Sequence, residues 1–149
     1  MRSCLSVFAF ACALHAALPA QAESHFAQTL QRHLDAIDRR DSSALFDTVP
    51  DSGKLTLILP NGRLSDSAQQ YREAMRDWLS ETDWKWTYQI VTQAQRGAVG
   101  WATLKVGYDD VDEARQPYHL DYYLTLLFER RGKRWLLVHD QNTRIPPAK

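Results

Sequence analysis

Apolar and polar residues alternate through the last third of the chain, between Tyr118 and Arg144. A two-residue period of this length is typical of strands in which one face is buried and the other is not. Gly132 interrupts the alternation and supplies the residue that a short turn needs at positive φ. The pattern therefore predicts a long antiparallel hairpin.

The register of this hairpin follows from matching like residues across the two strands. We predict that Phe128 lies opposite Trp135, because this choice pairs apolar residues with apolar residues. On the other face the same register gives two polar pairs, Tyr123 with Asp140 and Asp121 with Asn142. The hairpin then has one apolar face and one face that ends in polar groups.

Two helical segments are predicted before the first strand. Residues 23–40 place four apolar side chains on one stripe with helical spacing: Phe26, Leu30, Leu34 and Ile37. Asp41 then offers an N-cap for a short second helix, which ends before Pro50 because proline disfavours helical geometry in the residue that precedes it.

A hairpin and a third helix follow. Residues 54–59 form a strand, and Pro60-Asn61-Gly62 is a turn signal before a short return strand. The third helix starts around Ser65-Asp66-Ser67, with Asp66 and Gln69 in capping-box spacing. Its buried stripe is predicted to consist of Tyr71, Met75, Trp78 and Leu79.

Two further strands are predicted before the final hairpin. Residues 84–91 alternate, with Trp84, Trp86, Tyr88 and Ile90 on one face. Residues 98–108 form the next strand, and we expect the acidic stretch 109–113 to be a solvated turn. The aromatic stripe is compatible with two interpretations, a stacking surface for a flat ligand or a core and dimer surface.

The first 22 residues differ from the rest in composition. Arg2 is followed by an apolar run and then by the small-residue site Ala20-Gln21-Ala22, a pattern typical of a signal peptide cleaved before Glu23. The apolar run is too short for a permanent membrane anchor. We therefore expect a periplasmic or secreted protein with one mature domain, residues 23–149.

Composition removes several classes of function. Eighteen basic and eighteen acidic residues give a formal net charge of zero, without the basic excess expected of a nucleic-acid-binding protein. Both cysteines, Cys4 and Cys12, lie within the predicted signal peptide, so the mature domain has no thiol for disulfides or metal binding. No metal site and no cofactor are predicted.

The final strand and the first helix resemble a known family. Trp135-Leu136-Leu137-Val138-His139-Asp140-Gln141-Asn142-Thr143 is similar to the W-x-I-V-H-x-H-x-S ending of SnoaL-like and kinase-association domains, and Ala36 to Asp41 is similar to the end of their first helix. Gln141 departs from the pattern, since many relatives have histidine there. The chain thus resembles the nuclear transport factor 2-like superfamily, which implies an α+β, cone-shaped fold with N-terminal helices on a strongly bent antiparallel sheet.

The resemblance also implies a pocket on the concave face of the sheet and often a dimer through the outer face. Pocket positions in related kinase-association domains correspond to Thr125 and Asn142. Together with the predicted polar face, they point to a site with three candidate catalytic residues, Asp121, Asp140 and Tyr123. Candidate ligand-binding residues are Lys105, His119, Thr125, Asn142, Trp86 and Trp101.

Three functions are compatible with this site. The first is binding of a small, partly apolar molecule in the pocket by a homodimer. The second is an isomerase, dehydratase or cyclase in which a shielded Asp121 or Asp140 acts as general base. The third is a dimerisation or protein-binding module with a vestigial pocket, in which the polar groups brace the sheet. If the Leu120, Tyr122 and Leu124 face meets the helices instead, the polar residues point outward.

Overall fold

Three helices and six strands make up the part of the chain that the computed structural model describes, residues 25–147. In chain order they are α1 (His25–Asp38), α2 (Ser42–Phe46), β1 (Lys54–Ile58), β2 (Leu64–Ser67), α3 (Ala68–Ser80), β3 (Lys85–Arg96), β4 (Val99–Val111), β5 (Pro117–Arg131) and β6 (Arg134–Arg144). This order confirms the predicted α+β class. The predicted signal peptide lies outside the described residues.

Helix α1 forms because its apolar residues recur at helical spacing, and the predicted stripe is buried throughout. Asp41 caps α2, as predicted, since its carboxylate accepts a hydrogen bond from Ala44 N at 2.9 Å. Between the two helices Arg40 takes a φ of 52°, in the left-handed region. Its guanidinium lies 4.1 Å from the Trp84 ring centroid and donates to Trp84 O, which fixes this sharp bend against the sheet. Within residues 25–147, no helix has the length and apolar content needed to cross a membrane.

The six strands form one sheet in the order β2-β1-β6-β5-β4-β3. Strands β1 and β6 are parallel, and the other neighbours are antiparallel. The helices cover the face that carries the buried residues of β4 and β5, which we call the inner face: Ala102, Leu104, Val106, Leu124, Leu126 and Phe128. The opposite side, which we call the outer face, has no helix packed on it among the described elements.

One end of the inner face, the packed end, is filled with aromatic rings. Phe26 of α1 lies 5.8 Å from Phe128 and 5.5 Å from Trp135, measured between ring centroids. The fit is close at Gly100, where an added Cβ would lie 2.5 Å from Phe26 Cδ2. His33 completes this end and is fully buried beside Phe128.

The register predicted for the final hairpin is wrong. Arg131 pairs with Arg134 across a two-residue turn in which Gly132 has a φ of 62°, so Phe128 lies opposite Leu137 rather than Trp135. A bulge then shifts the pairing, since Leu127 lies opposite His139 and Val138 is the extra residue on β6. Beyond the bulge, Asp140 lies opposite Leu126 and not opposite Tyr123.

Two smaller predictions also fail. The predicted capping box of Asp66 and Gln69 does not form, because Asp66 pairs with Lys54 and Gln69 donates to Glu73. Strand β2 continues to Ser67, and the Ser67 hydroxyl caps α3 instead. The acidic stretch is not a simple solvated turn either, because β4 runs to Val111. The strand continues because Asp109, Asp110 and Val111 pair with residues 117–119 of β5.

Candidate functional site

A cavity of about 550 Å³ lies between the inner face and the helices α1 and α3, at what we call the open end of the sheet. Most of its lining is apolar or aromatic: Ile37, Leu57, Leu59, Ala74, Met75, Trp78, Trp86, Tyr108, Leu120, Tyr122 and Leu124. Cavities of this size and composition are typical of small-molecule sites. The sheet forms one wall of the cavity, because at this end the apolar stripes of the helices do not pack directly against its inner-face side chains.

Asp140 is the one buried carboxylate in the lining of this cavity, and its side chain is 7% exposed. The Tyr71 hydroxyl donates to Asp140 Oδ2 at 3.3 Å, and Asn142 Nδ2 donates to Asp140 Oδ1 at 3.0 Å. Burial raises the pKa of Asp140 to about 7, although both hydrogen bonds favour the ionised form and oppose that rise. A carboxyl group in this state can exchange a proton near neutral pH.

The β6 bulge is the reason why Asp140 faces the cavity. Before the bulge, Trp135 and Leu137 point to the inner face; after it, Asp140, Asn142 and Arg144 do. Because side chains alternate along a strand, one extra residue moves every later side chain to the opposite face. Asn142 is further held by its second hydrogen bond, to Ile58 O of β1 at 2.9 Å.

Tyr122 brings a second polar group to the cavity. Its side chain is buried, and burial raises its pKa well above the ordinary value, so the hydroxyl keeps its proton at neutral pH. Among the described residues this hydroxyl has no hydrogen-bond partner, whereas the Tyr71 hydroxyl is engaged by Asp140. Tyr122 can therefore donate a hydrogen bond to a bound molecule.

Stacked aromatic rings form one wall of the cavity. Trp78 and Trp84 stack with their centroids 4.3 Å apart, and Trp78 Nε1 donates to the Tyr108 hydroxyl at 3.0 Å. Trp86 Nε1 donates to Asp38 at the end of α1 at 2.6 Å, which holds its ring against the opening. Of the predicted aromatic stripe, Trp84 is buried core and Trp86 lines the cavity.

Charged side chains surround the opening of the cavity. Arg63 and Arg144 line it from the β1–β2 loop and the end of β6, and Asp77 and Glu81 line it from the end of α3. All four residues are exposed. The opening is therefore positive on the side of β1 and β6 and negative beside the aromatic wall.

The structure does not bring the predicted site residues together. Asp140, Asn142 and Trp86 line the cavity, as expected of pocket residues. The others lie on the outer face of β4 and β5: Lys105, His119, Asp121, Tyr123, Thr125 and Trp101. The prediction that Asp121, Tyr123 and Asp140 share one polar face is thus wrong, because the bulge turns Asp140 to the inner face.

On the outer face, His119 links two carboxylates. Its Nδ1 lies 2.8 Å from Asp109 Oδ1, and its Nε2 lies 3.5 Å from Asp121 Oδ1. The hydrogen bond to Asp109, with a smaller one to Asp121, raises the pKa of His119. This cluster is solvent-exposed and lies on the other side of the sheet from Asp140.

A second, more polar cleft of about 830 Å³ lies beyond the packed end, between α1, α2 and the hairpin turn. Its lining includes Arg32, Arg72 and Arg134, and Arg72 is paired with Asp51 at 3.4 Å. It contains no buried titratable side chain. Within residues 25–147, no group of three or more histidine, cysteine or carboxylate side chains is placed to hold a metal ion.

Sequence reasoning missed Tyr71, Tyr122, Arg63 and Arg144 as residues of the cavity. Tyr71 and Tyr122 were assigned to buried apolar stripes, which is where they lie, but their hydroxyls reach the site. The available signal was a tyrosine, rather than a leucine, in each stripe, since a buried hydroxyl needs a partner or a function. The two arginines carry no comparable local signal.

Comparison with known proteins identifies the family. Residues 27–145 match the SnoaL-like domain, so the chain belongs to the SnoaL-like domain family. No curated protein sequence matches the chain.

Solved structures agree on the fold. A nuclear transport factor 2-like superfamily protein from Salmonella enterica serovar Typhimurium is 19% identical, with a TM-score of 0.64 over 83% of this chain and 89% of that one. A ketosteroid isomerase-like protein from Erwinia carotovora atroseptica is 15% identical, with a TM-score of 0.66 over 81% and 94%. The association domain of C. elegans CaMKII is 14% identical, with a TM-score of 0.58 over 79% and 92%. The fold is therefore NTF2-like, as the resemblance implied.

Proposed function

We propose that the chain binds a small, partly apolar molecule in the cavity at the open end, with Asp140 and Tyr122 as its polar contacts. The observation that carries this proposal is an apolar cavity of about 550 Å³ that converges on one buried carboxyl group. A buried carboxyl is costly unless it is neutralised or satisfied. Retaining it at the base of an open cavity is compatible with a role in recognising a ligand.

Native mass spectrometry of the chain purified gently from its own organism tests this proposal. We expect a retained small molecule that is lost on denaturation. Ala74→Trp fills the cavity from α3 and should abolish retention, whereas Gln70→Trp, at an exposed position of the same helix, should preserve it. Equal retention by both variants would contradict binding in this cavity.

A second candidate function is acid/base catalysis, which the pKa of about 7 at Asp140 favours. A carboxylate with this pKa is a stronger base than an ordinary aspartate and is still ionised near neutral pH. Tyr122 is placed to donate to a substrate oxygen on which negative charge develops. The reaction class is then proton transfer at carbon next to a carbonyl or leaving group.

Once a ligand has been identified, a comparison of turnover and affinity distinguishes an enzyme from a binding protein. If Asp140 is the base, Asp140→Asn should abolish turnover while affinity is retained, and the wild-type rate should rise as pH increases through about 7. Asp121→Asn is the matched control, since Asp121 lies on the outer face. Turnover that survives in Asp140→Asn and is lost in Asp121→Asn would reverse the assignment.

We also propose that the chain forms a homodimer through its outer face. Half-buried apolar side chains lie across the middle strands of this face, among them Trp101, Leu127 and Val138, and Tyr123 is 43% exposed beside them. Apolar surface of this kind marks an interaction site. The association-domain neighbour from C. elegans has the same fold and supports a role in self-association.

Sedimentation analysis of two arginine variants tests the dimer. Leu127→Arg places a charge at the centre of the outer face and should give a monomer. Val91→Arg introduces the same charge at a position that is 57% exposed on the edge strand β3, and should leave the dimer intact. A wild-type chain that stays monomeric at every concentration would overturn the proposal.

Export with cleavage before Glu23 is proposed from the sequence pattern of residues 1–22. Intact-mass measurement of the protein recovered from the periplasm or medium should give a chain that starts at Glu23. A full-length mass in the cytoplasmic fraction would exclude export.

A further inference from the structure

Two arginines at the opening of the cavity have no partner among the described residues. Arg63 and Arg144 both line the cavity, and neither guanidinium makes a hydrogen bond or ion pair to residues 25–147. By contrast, Arg115 is paired with Asp83 at 2.5 Å and Arg72 with Asp51 at 3.4 Å. The two arginines thus have all their donors available at the place where a ligand enters.

Both arginines stand on backbone that hydrogen bonds hold in place. Leu59 N donates to Arg63 O, and Arg63 N donates to Asn61 Oδ1, which closes the β1–β2 turn around Gly62 at a φ of 83°. Arg144 pairs with Tyr122 in the sheet, and the next residue, Ile145, donates from its backbone N to Asp121 O at 2.8 Å. The backbone positions of the two arginines are therefore built into the fold.

The arginines act at the opening and not at the base of the cavity. Arg63 and Arg144 are exposed at the opening, whereas Asp140 is buried at the base of the cavity. The carboxylates of Asp77 and Glu81 lie on the other side, flanking Trp78, which is bonded to Tyr108. An anionic group that enters this opening is attracted to the arginine side and repelled from the aromatic side.

We propose that the ligand of this cavity is an apolar or aromatic carboxylate, whose carboxylate group is bound at the opening by Arg63 and Arg144 and whose apolar body fills the space toward Asp140. This inference rests on the proposed ligand-binding function and specifies its chemical class. Arginine suits the task because its planar fork of N–H donors matches a carboxylate in bidentate geometry. The remaining cavity, lined by Leu57, Met75 and Leu124, matches an apolar body.

A series of three probes of one shape tests the proposal by isothermal titration calorimetry. The probes are 1-naphthaleneacetate, its neutral isostere 1-naphthaleneacetamide, and 1-naphthalenemethylammonium. At about pH 6 the first is an anion and the third a cation. We expect the anion to bind about tenfold more tightly than the amide, with a preference that shrinks in about 0.5 M salt, and the cation to bind most weakly.

Variants assign the preference to the two arginines. In the double variant Arg63→Gln with Arg144→Gln, the anion and the amide should bind equally, and the affinity for the amide should match that of the wild type. Arg96→Gln removes an exposed arginine at the far end of β3 and should keep the tenfold preference.

Each other outcome overturns the proposal. Equal binding of anion and amide to the wild type would reject a carboxylate ligand while leaving a neutral ligand in the cavity. If the preference for the anion survives in the double variant, the arginines are not its source. If the cation binds more tightly than the anion, the acidic side of the opening determines which ligand charge is preferred. Failure of all three probes to bind would reject this ligand class together with an apolar binding cavity.

Discussion

Among the described residues, the packed end and the open end of the sheet each bury one histidine or carboxylate side chain, in contrasting surroundings. At the packed end, Phe26 fills the space around Gly100 so closely that an added Cβ would lie 2.5 Å from its ring. At the open end, a cavity of about 550 Å³ is left beside Asp140. Burial alone therefore does not distinguish the proposed functional group from a structural one in this protein. The accessible space next to Asp140 distinguishes it from His33.

His33 illustrates a buried group without an outward role. Thr48 Oγ1 donates its one proton to Leu45 O at 2.7 Å, so it must accept from His33 Nδ1–H at 2.8 Å. Within the described residues, the other ring nitrogen, Nε2, is buried without a hydrogen-bond partner. The histidine is thus neutral and enclosed, and burial lowers its pKa to about 3.

The largest expected effect comes from enlarging one side chain at each end. Gly100→Ala should lower the free energy of unfolding by about 3 kcal/mol, because the new Cβ overlaps the buried Phe26 ring. Ala74→Leu adds more atoms at the open end but should change stability by less than about 1 kcal/mol, because they enter the cavity. Chemical denaturation of the two variants measures the difference. Similar losses in both would show that the open end is as tightly packed as the other.

A second prediction concerns the pH dependence of stability. The folded pKa of His33 is below its ordinary value of 6.5, so stability is lost as pH falls from about 6.5 toward 3. The folded pKa of Asp140 is above its ordinary value of 3.8, so stability is present below that value and lost as pH rises through about 7. Between pH 3.8 and pH 6.5, the contributions of His33 and Asp140 to the free energy of unfolding change in opposite directions with pH and nearly cancel.

Single variants expose each contribution. In Asp140→Asn, the free energy of unfolding should fall by about 2 kcal/mol between about pH 6 and pH 4.5, whereas in His33→Leu it should rise by a similar amount over the same interval. Denaturant titrations at several pH values provide the measurement, with the wild type as the flat reference. If both variants keep the wild-type profile, the two ends do not differ in the way described.

The smallest effect is expected at the hydrogen bonds of Asp140. Tyr71→Phe and Asn142→Ala each remove a donor that favours the carboxylate, so each should raise the pKa of Asp140 further, with Tyr71→Phe the stronger of the two. Carbon-detected NMR titration of labelled aspartate carboxyls reports this pKa. Tyr122→Phe is the control, because its hydroxyl makes no hydrogen bond to Asp140. A lower pKa in either donor variant would show that the hydrogen bonds act differently.

Hydrophobic periodicity predicted the order of the helices and strands, and the family resemblance supplied the fold. The α1 stripe from Phe26 to Ile37 is buried as expected, and the strands follow the alternation in the sequence. These features are local, since a helix or strand side chain is assigned to a face by its nearest neighbours in the chain. Helix capping was harder, because Asp66 had a cross-strand partner in Lys54 that local spacing does not reveal.

The site was only partly predictable, because it depends on pairing between strands. Asp140 and Asn142 were predicted from the polar face of the hairpin and from the family resemblance, and both line the cavity. Their supposed companions Asp121 and Tyr123 lie on the other face, since the extra residue Val138 changes the alternation between them. Nothing in the composition of β6 marks the bulge, and matching like residues across the hairpin favours a ladder without one.

Val138 also has an evolutionary consequence. If β6 paired without the bulge at Val138, the same residues would place Asp140 and Asn142 on the outer face and bring Gln141 and Thr143 to the cavity. A small change that favours the regular ladder over the bulge can thus exchange the chemistry of the two surfaces of the sheet while most of the core is kept. Such a change offers a short mutational route between a domain that uses its cavity and one that uses its outer surface.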